Sequence, residues 1–330
     1  MAPRTSRATS RRVLGAFLAL LLVIGVPLLV APWFGLGGTS GAAVSFTVAK
    51  GASLAAVSKD LEKAGLVDAP RQFRLLARLF GGGDPVQAGT YKLTPGAPWR
   101  DYLRMMQKGT VERHAITIPE GMPSVLIAEK LRAESQLTGD VAVPPEGSVL
   151  PETYDFTPGE PRAKVMARMQ AAMDKTVADL WPGRSARSVV KTPAEAIILA
   201  SIVEKETGKA AERRQVAGVY SNRLAKGMKL DADPTVIYPI TQGKPLGRRI
   251  RQSELAADTG YNTYLKPGLP KGPIANPGRA SIAAVLDPAP TDALFFVADG
   301  SGGHVFAATL DEHNANVAKW YALRRQRGEM

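Results

Sequence analysis

Between Arg12 and Lys50 the chain carries no charged side chain. The first part of that stretch, Val13–Val30 ("VLGAFLALLLVIGVPLLV"), is long enough to cross a hydrocarbon layer of roughly 30 Å as a helix. Arg4, Arg7, Arg11 and Arg12 precede it without an acid, a bias that holds the N-terminus in the cytoplasm. The pattern predicts a cytoplasmic tail over 1–12 and a transmembrane helix over 13–34, with Trp33 and Phe34 near the far interface. Everything beyond is placed outside the cytoplasm. A cleaved signal peptide is the competing reading, but its apolar part is usually about 7–15 residues, shorter than this one. Pro27 would only kink the span.

The formal charge of +12 includes those four arginines. The other basic residues are dispersed, apart from "GRRIR" (Gly247–Arg251), which has no aromatic residue interleaved beside it. That argues against nucleic acid and for an anionic surface as the partner of an exported domain. The chain has no cysteine, which excludes disulfides and a thiolate nucleophile. Its three histidines (His114, His304 and His313) are far apart in sequence, so no metal is expected, and no cofactor-binding loop is present. With 45% apolar and 22% charged residues the remainder can build an ordinary core.

A short linker, residues 35–43 ("GLGGTSGAA"), leads to a pattern that occurs twice. In "VAKGASLAAVSKDL" (Val48–Leu61) and "IPEGMPSVLIAEKL" (Ile118–Leu131), glycine follows an aliphatic residue by three positions; an aliphatic residue and a leucine follow it by six and ten. Each reads as a strand end, a glycine turn and an amphipathic helix. The phrase V-x-x-G-x-S-L-x-x-V resembles LysM modules, which bind N-acetylglucosamine polymers. Glycan binding and a purely structural role both stand open for it. The expected fold class is α+β, with a LysM-like region of small α/β units over 44–143 and a mixed α/β catalytic domain over 144–330. Within the latter, Pro144–Pro161 reads as an extended connection, Arg162–Leu180 as a helix, and "DGSGGH" (Asp299–His304) as a hairpin turn. Helices over 193–207 and 210–225 are expected to pack on the sheet that contains this hairpin. "SVVK" (Ser188–Lys191) matches the S-x-x-K of penicillin-binding enzymes but lacks its companion motifs.

The most informative segment is "KTPAEAIILASIVEKETG" (Lys191–Gly208). Thr192 is an N-cap, Pro193 opens the helix, Glu195 completes a capping box and Gly208 is a stop. The centre is hydrophobic on nearly every face, so it is a core helix. At 100° per residue Glu204 shares a stripe with Ile197, Ala200 and Ser201. If the helical phase continues, Thr207, Gly208 and Ala211 join that stripe. Glu206 points the other way, with Glu195, Leu199, Ile202 and Arg213. The two acids therefore cannot flank one bond from a common face. Glu204 sits where an apolar groove could approach and raise its pKa, while Glu206 reads as a surface or salt-bridge residue. A solvated acid at a helix end is the plainer reading of either.

"ILASIVEKETG" (Ile198–Gly208) resembles the signature of the YceG-like family, the endolytic murein transglycosylases. "GSVLPETYDF" (Gly147–Phe156), "SNRLAKGMKLDADPTVIY" (Ser221–Tyr238), "YNTYLKPGLPKGPIANPG" (Tyr261–Gly278) and "FFVADGSGGHVFAATLDEHN" (Phe295–Asn314) are similar to its other blocks, in the family's order. The resemblance implies a bacterial enzyme, single-pass in the cytoplasmic membrane, that cuts nascent peptidoglycan strands. The bond cut is the β-1,4 link between N-acetylmuramic acid and N-acetylglucosamine, leaving 1,6-anhydro ends and terminating elongation. The implied partners are glycan strands and peptidoglycan polymerases. The family's catalytic glutamate is carried onto Glu204, and Asn222, Asp233, Tyr261, Asn262 and Asn276 become candidate substrate contacts. Asp231 stands where the family commonly has glutamine. A non-catalytic, glycan-binding membrane scaffold is the alternative.

Overall fold

A computed structural model describes residues 19–36, 40–110 and 113–329. The chain divides into two compact units, the first ending at His114 and the second starting at Ala115. The expected boundary at 144 therefore falls inside the second unit, and the second glycine-turn pattern belongs to a different body from the first.

In the first unit, β1 (Val44–Val48) leads through helices Leu54–Lys63 and Pro70–Phe80 to β2 (Gly89–Leu93), and helix Trp99–Lys108 follows. β1 and β2 pair antiparallel, with Phe46 opposite Tyr91. Alternation along β1 turns Phe46 and Val48 inward. There they meet Leu61, Phe73, Leu76, Tyr91 and Tyr102 in one core. Ser53 caps the first helix by accepting from Ala56 N at 3.3 Å. Trp33, expected at a membrane interface, is instead in this core at 4% exposure, its ring 6.4 Å from Phe73. Phe34 beside it is exposed. Among the described residues no helix is long and apolar enough to cross a membrane. The expected span begins at Val13, and residues 13–18 lie outside the described residues.

In the second unit β3 (His114–Thr117) pairs with β4 (Thr153–Phe156), so the stretch expected to be an extended connection supplies a strand. Both strands, helix Ser124–Ala133 and the long helix Arg162–Leu180 enclose a core of Ile116, Ile127, Leu131, Phe156, Val165 and Met169. A larger core surrounds helix Pro193–Glu206, whose Ala196, Leu199, Ala200, Ile202 and Val203 are fully buried. Thr192 Oγ1 accepts from Glu195 N at 3.2 Å, and Glu195 reaches back to Lys191 N at 2.6 Å. Helix Arg279–Leu286, helix Arg213–Ala225 and the start of helix Asp233–Thr241 close over it. The predicted helix–sheet packing is thus replaced by helix–helix packing. β5 (Phe295–Ala298) and β6 (His304–Ala307) form an antiparallel hairpin closed by Asp299 N donating to Gly303 O at 2.9 Å. Among the described residues they pair only with each other; they lie against the C-terminal helix Leu310–Gln326 and reach the larger core through Phe296 and Phe306. The second unit is a helical body edged by small hairpins, because helix 193–206 is apolar all round and needs partners on every side.

Candidate active site

The two glutamates at the end of helix Pro193–Glu206 have different surroundings. Glu204 is tied into structure. One oxygen accepts from Gly278 N at 2.8 Å, the other lies 3.5 Å from the Arg213 guanidinium, and the side chain is only 5% exposed. Arg213 also holds Glu120 at 3.3 Å. A Cβ at Gly278 would meet the Glu120 carboxylate, so a side chain there would require Glu120 to move aside. Both Glu204 oxygens already have donors. The sequence places Glu204 where an apolar groove could approach; the partners of its carboxylate in the structure are Gly278 and Arg213.

Glu206 is half-buried and lines an open cavity of about 450 Å³. The cavity is walled by Tyr220 and Arg223 from helix Arg213–Ala225, Asp231 and Asp233, Tyr264, Phe295 and Phe296 of β5, and His313 of the C-terminal helix. Burial pushes the Glu206 carboxyl from 4.5 to about 7, and the Asp233 charge adds to this; a hydrogen bond from Tyr220 and the Arg223 charge oppose it. Tyr220 is raised well above the usual phenol range by its own burial and by Glu206. Burial, with Arg223 assisting, lowers His313. The Tyr264 hydroxyl donates to Asp233 Oδ1 at 2.6 Å, and burial followed by Asp233 raises Tyr264.

Local folding explains how these groups converge. Tyr220 and Arg223 are i, i+3 on one helix face. Tyr220 is held edge-on by Phe296, with ring centres 5.9 Å apart. Arg223 clamps the following loop by donating to Lys229 O (3.2 Å) and Leu230 O (2.9 Å), and ties it to the start of β5 by donating to Leu294 O (2.6 Å). It also pairs with Asp231 at 3.2 Å. Asp231 adopts φ +50, a left-handed conformation that Asp tolerates, and this turns the chain into helix Asp233–Thr241. Asp233 begins that helix, where the helix dipole favours an anion. The residue that departs from the family pattern, Asp231, therefore lines the cavity and neutralises part of Arg223.

Of the other candidate residues, Asp233 alone faces this cavity. Asn222 donates to Thr291 O at 2.8 Å and Ala293 O at 3.0 Å, holding the approach to β5. Asn262 is 7% exposed; it donates to Leu255 O at 2.8 Å and accepts from Tyr264 N at 3.0 Å. Asn276 is fully buried, donates to Met122 O, Ser124 Oγ and Glu146, and accepts from Val149 N at 3.0 Å. Tyr261 packs on Tyr238, ring centres 4.9 Å apart, with Lys271 4.8 Å above its ring. All three asparagines hold loop backbone by donating to main-chain carbonyls. Tyr220, Arg223 and His313 are cavity groups that the sequence did not single out, and Glu206, read there as a surface or salt-bridge residue, lines the same wall. One signal was available: the apolar run ends on an acid, and Tyr220 and Arg223 repeat at helical spacing two turns into the next helix.

A carboxyl pushed up to about 7, beside a second carboxylate and an aromatic wall, is suited to acid–base chemistry. Residues 46–319 match the YceG-like family, and the chain belongs to it. It is 28% identical over 316 residues to an endolytic murein transglycosylase of Bacillus subtilis (strain 168), covering 86% of each chain. It is 29% identical over 325 residues to the endolytic murein transglycosylase of Streptococcus pneumoniae serotype 2 (strain D39 / NCTC 7466), covering 84% of this chain and 58% of that protein. The crystal structure of a yceG-like protein from Listeria monocytogenes matches with a TM-score of 0.52 at 26% identity, covering 84% of this chain and 99% of that one.

Proposed function

We propose that this chain is a lytic transglycosylase of peptidoglycan, with Glu206, not Glu204, as its catalytic acid. The observation that carries the assignment is the Glu206 carboxyl held at about 7 in the cavity wall. An ordinary glycosidase uses two carboxyl groups, one as acid and one as nucleophile or water-activating base. In a lytic reaction the muramic acid C6 hydroxyl attacks its own anomeric carbon, so one acid suffices. Glu206 gives its proton to the departing glycosidic oxygen as the C1–O bond breaks. The resulting carboxylate then takes the proton of the C6 hydroxyl as the anhydro ring closes. Asp233, held by Tyr264, places negative charge where an oxocarbenium-like centre develops. Phe295 and Phe296 offer apolar surface to sugar rings.

Around this centre we place an anchor in the apolar segment that begins at residue 13 and ends before Trp33, which belongs to the core of the first unit, with the N-terminus in the cytoplasm and both units outside. The strand–helix–helix–strand order of the first unit supports a LysM-like, glycan-binding role. Cutting strands as they are made would terminate their elongation, beside the polymerases that make them.

Digestion of purified sacculi followed by mass spectrometry tests the proposal. Anhydro-ended fragments with the native chain, lost in Glu206→Gln, are expected. Retention on sacculi without fragments would instead identify a glycan-binding scaffold. Asp233 in the same cavity favours a second reading, a hydrolase with Asp233 activating water, which would yield reducing ends.

A further inference from the structure

We infer that the first unit is seated on an anionic lipid surface through the exposed stripe of helix Pro70–Phe80, which continues the apolar face of the segment entering the membrane. The inference rests on the anchor proposed above and adds a second, interfacial contact to it.

On that helix Gln72, Leu75 and Leu79 share a stripe, spaced by three and seven residues. Gln72 Nε2 donates to Leu29 O at 2.5 Å, so the stripe starts against the backbone of the apolar N-terminal segment. Trp33, buried in the core, lies 6.3 Å from the Phe80 ring and closes the other side. The apolar segment thus enters the unit without slack. Its outward side chains, Ile24 (50% exposed) and Leu28 (67%), are followed by Leu75 (46%), Leu79 (63%) and Phe80 (60%). Single exposed leucines mean little, but a contiguous group does. The same helix, "PRQFRLLARLF", carries three arginines and no acid, with Arg71 and Arg78 exposed beside the leucine stripe. A basic amphipathic helix next to an apolar segment fits the headgroup boundary: leucine and phenylalanine enter the acyl region and arginine meets anionic headgroups. A glycan would use neither the leucines nor an excess of positive charge.

The absence of native cysteine makes the test direct. Full-length chain carrying Leu79→Cys, Ile24→Cys or Lys59→Cys is labelled with bimane and reconstituted into phosphatidylglycerol–phosphatidylcholine vesicles containing brominated lipids. All three positions are exposed, so labelling leaves the core intact. Loss of emission at 24 and at 79, with emission kept at 59, is the expected result. Weaker quenching at 79 in pure phosphatidylcholine is also expected. Quenching at 24 while 79 behaves like 59 would overturn the seat and leave the anchor standing. No quenching at either position would overturn both. Undiminished quenching at 79 without anionic lipid would remove the role given to the arginines.

Discussion

Replacing Glu206 by glutamine separates the two glutamates and yields a stability signature as well as a loss of rate. Raising the carboxyl from 4.5 to about 7 corresponds to about 3 kcal/mol of discrimination against the charged form. Solvent at the cavity mouth reduces what is felt in folding to ~1–2 kcal/mol. The sign follows from linkage. The folded pKa lies above the unfolded one, so the contribution is fully present below about 4.5 and is lost as pH rises through about 7. Glu206→Gln carries no charge to desolvate. It should match the native chain in thermal stability near pH 4 and exceed it by roughly 3–6 °C near pH 8, since each kcal/mol moves Tm by a few degrees in a unit of this size. Activity on sacculi should fall by roughly 10²–10⁴-fold, the usual contribution of a positioned acid. In the native chain kcat/KM should decline above about pH 7 as the proton is lost. Calorimetry at two pH values and timed release of soluble fragments provide the readouts. A variant that keeps a tenth or more of the native rate, or whose stability gain is the same at both pH values, would refute the assignment.

Three further outcomes are expected. Glu204→Gln removes the anion facing the mostly buried Arg213 and should cost ~1–3 kcal/mol in denaturant unfolding, with a much smaller rate loss than Glu206→Gln; a loss as large would return the catalytic role to Glu204. Asp233→Asn removes a like charge beside Glu206, so the alkaline limb of the pH–rate profile should move to lower pH, and a limb that stays in place would show that the two carboxyls do not sense each other. Asn276→Ala strips the hydrogen bonds from Val149 N, Ser124 and Glu146 in a fully buried spot and should cost roughly 2–4 kcal/mol with activity per folded molecule retained; lost turnover at full stability would make Asn276 a substrate contact after all.

Much of the second unit is legible from local chemistry. The helices over 162–180 and 193–206 and the hairpin at Asp299–His304 follow from caps, breakers and periodicity, because such signals act within a turn or two of chain. The strand at Thr153–Phe156 was hidden by flanking prolines and acids, and only its pairing with β3 makes it a strand. Trp33 shows the same limit. Its neighbours predict a membrane interface, yet its partners Phe73 and Phe80 lie some 40 residues away.

By itself the sequence determined that an apolar helix ends in two acids pointing apart, since a helix turns 100° per residue whatever surrounds it. Which acid meets a cavity was decided in three dimensions. Thr207 leaves the helix in an extended conformation, φ −134 and ψ 128, so the stripe does not continue past it. Arg213, in phase with Glu206 on an unbroken helix, ends up beside Glu204 instead. Tyr220, Asp233, Tyr264 and the β5 phenylalanines come from four distant segments to enclose Glu206. Desolvation is a property of that enclosure, and no local pattern encodes it.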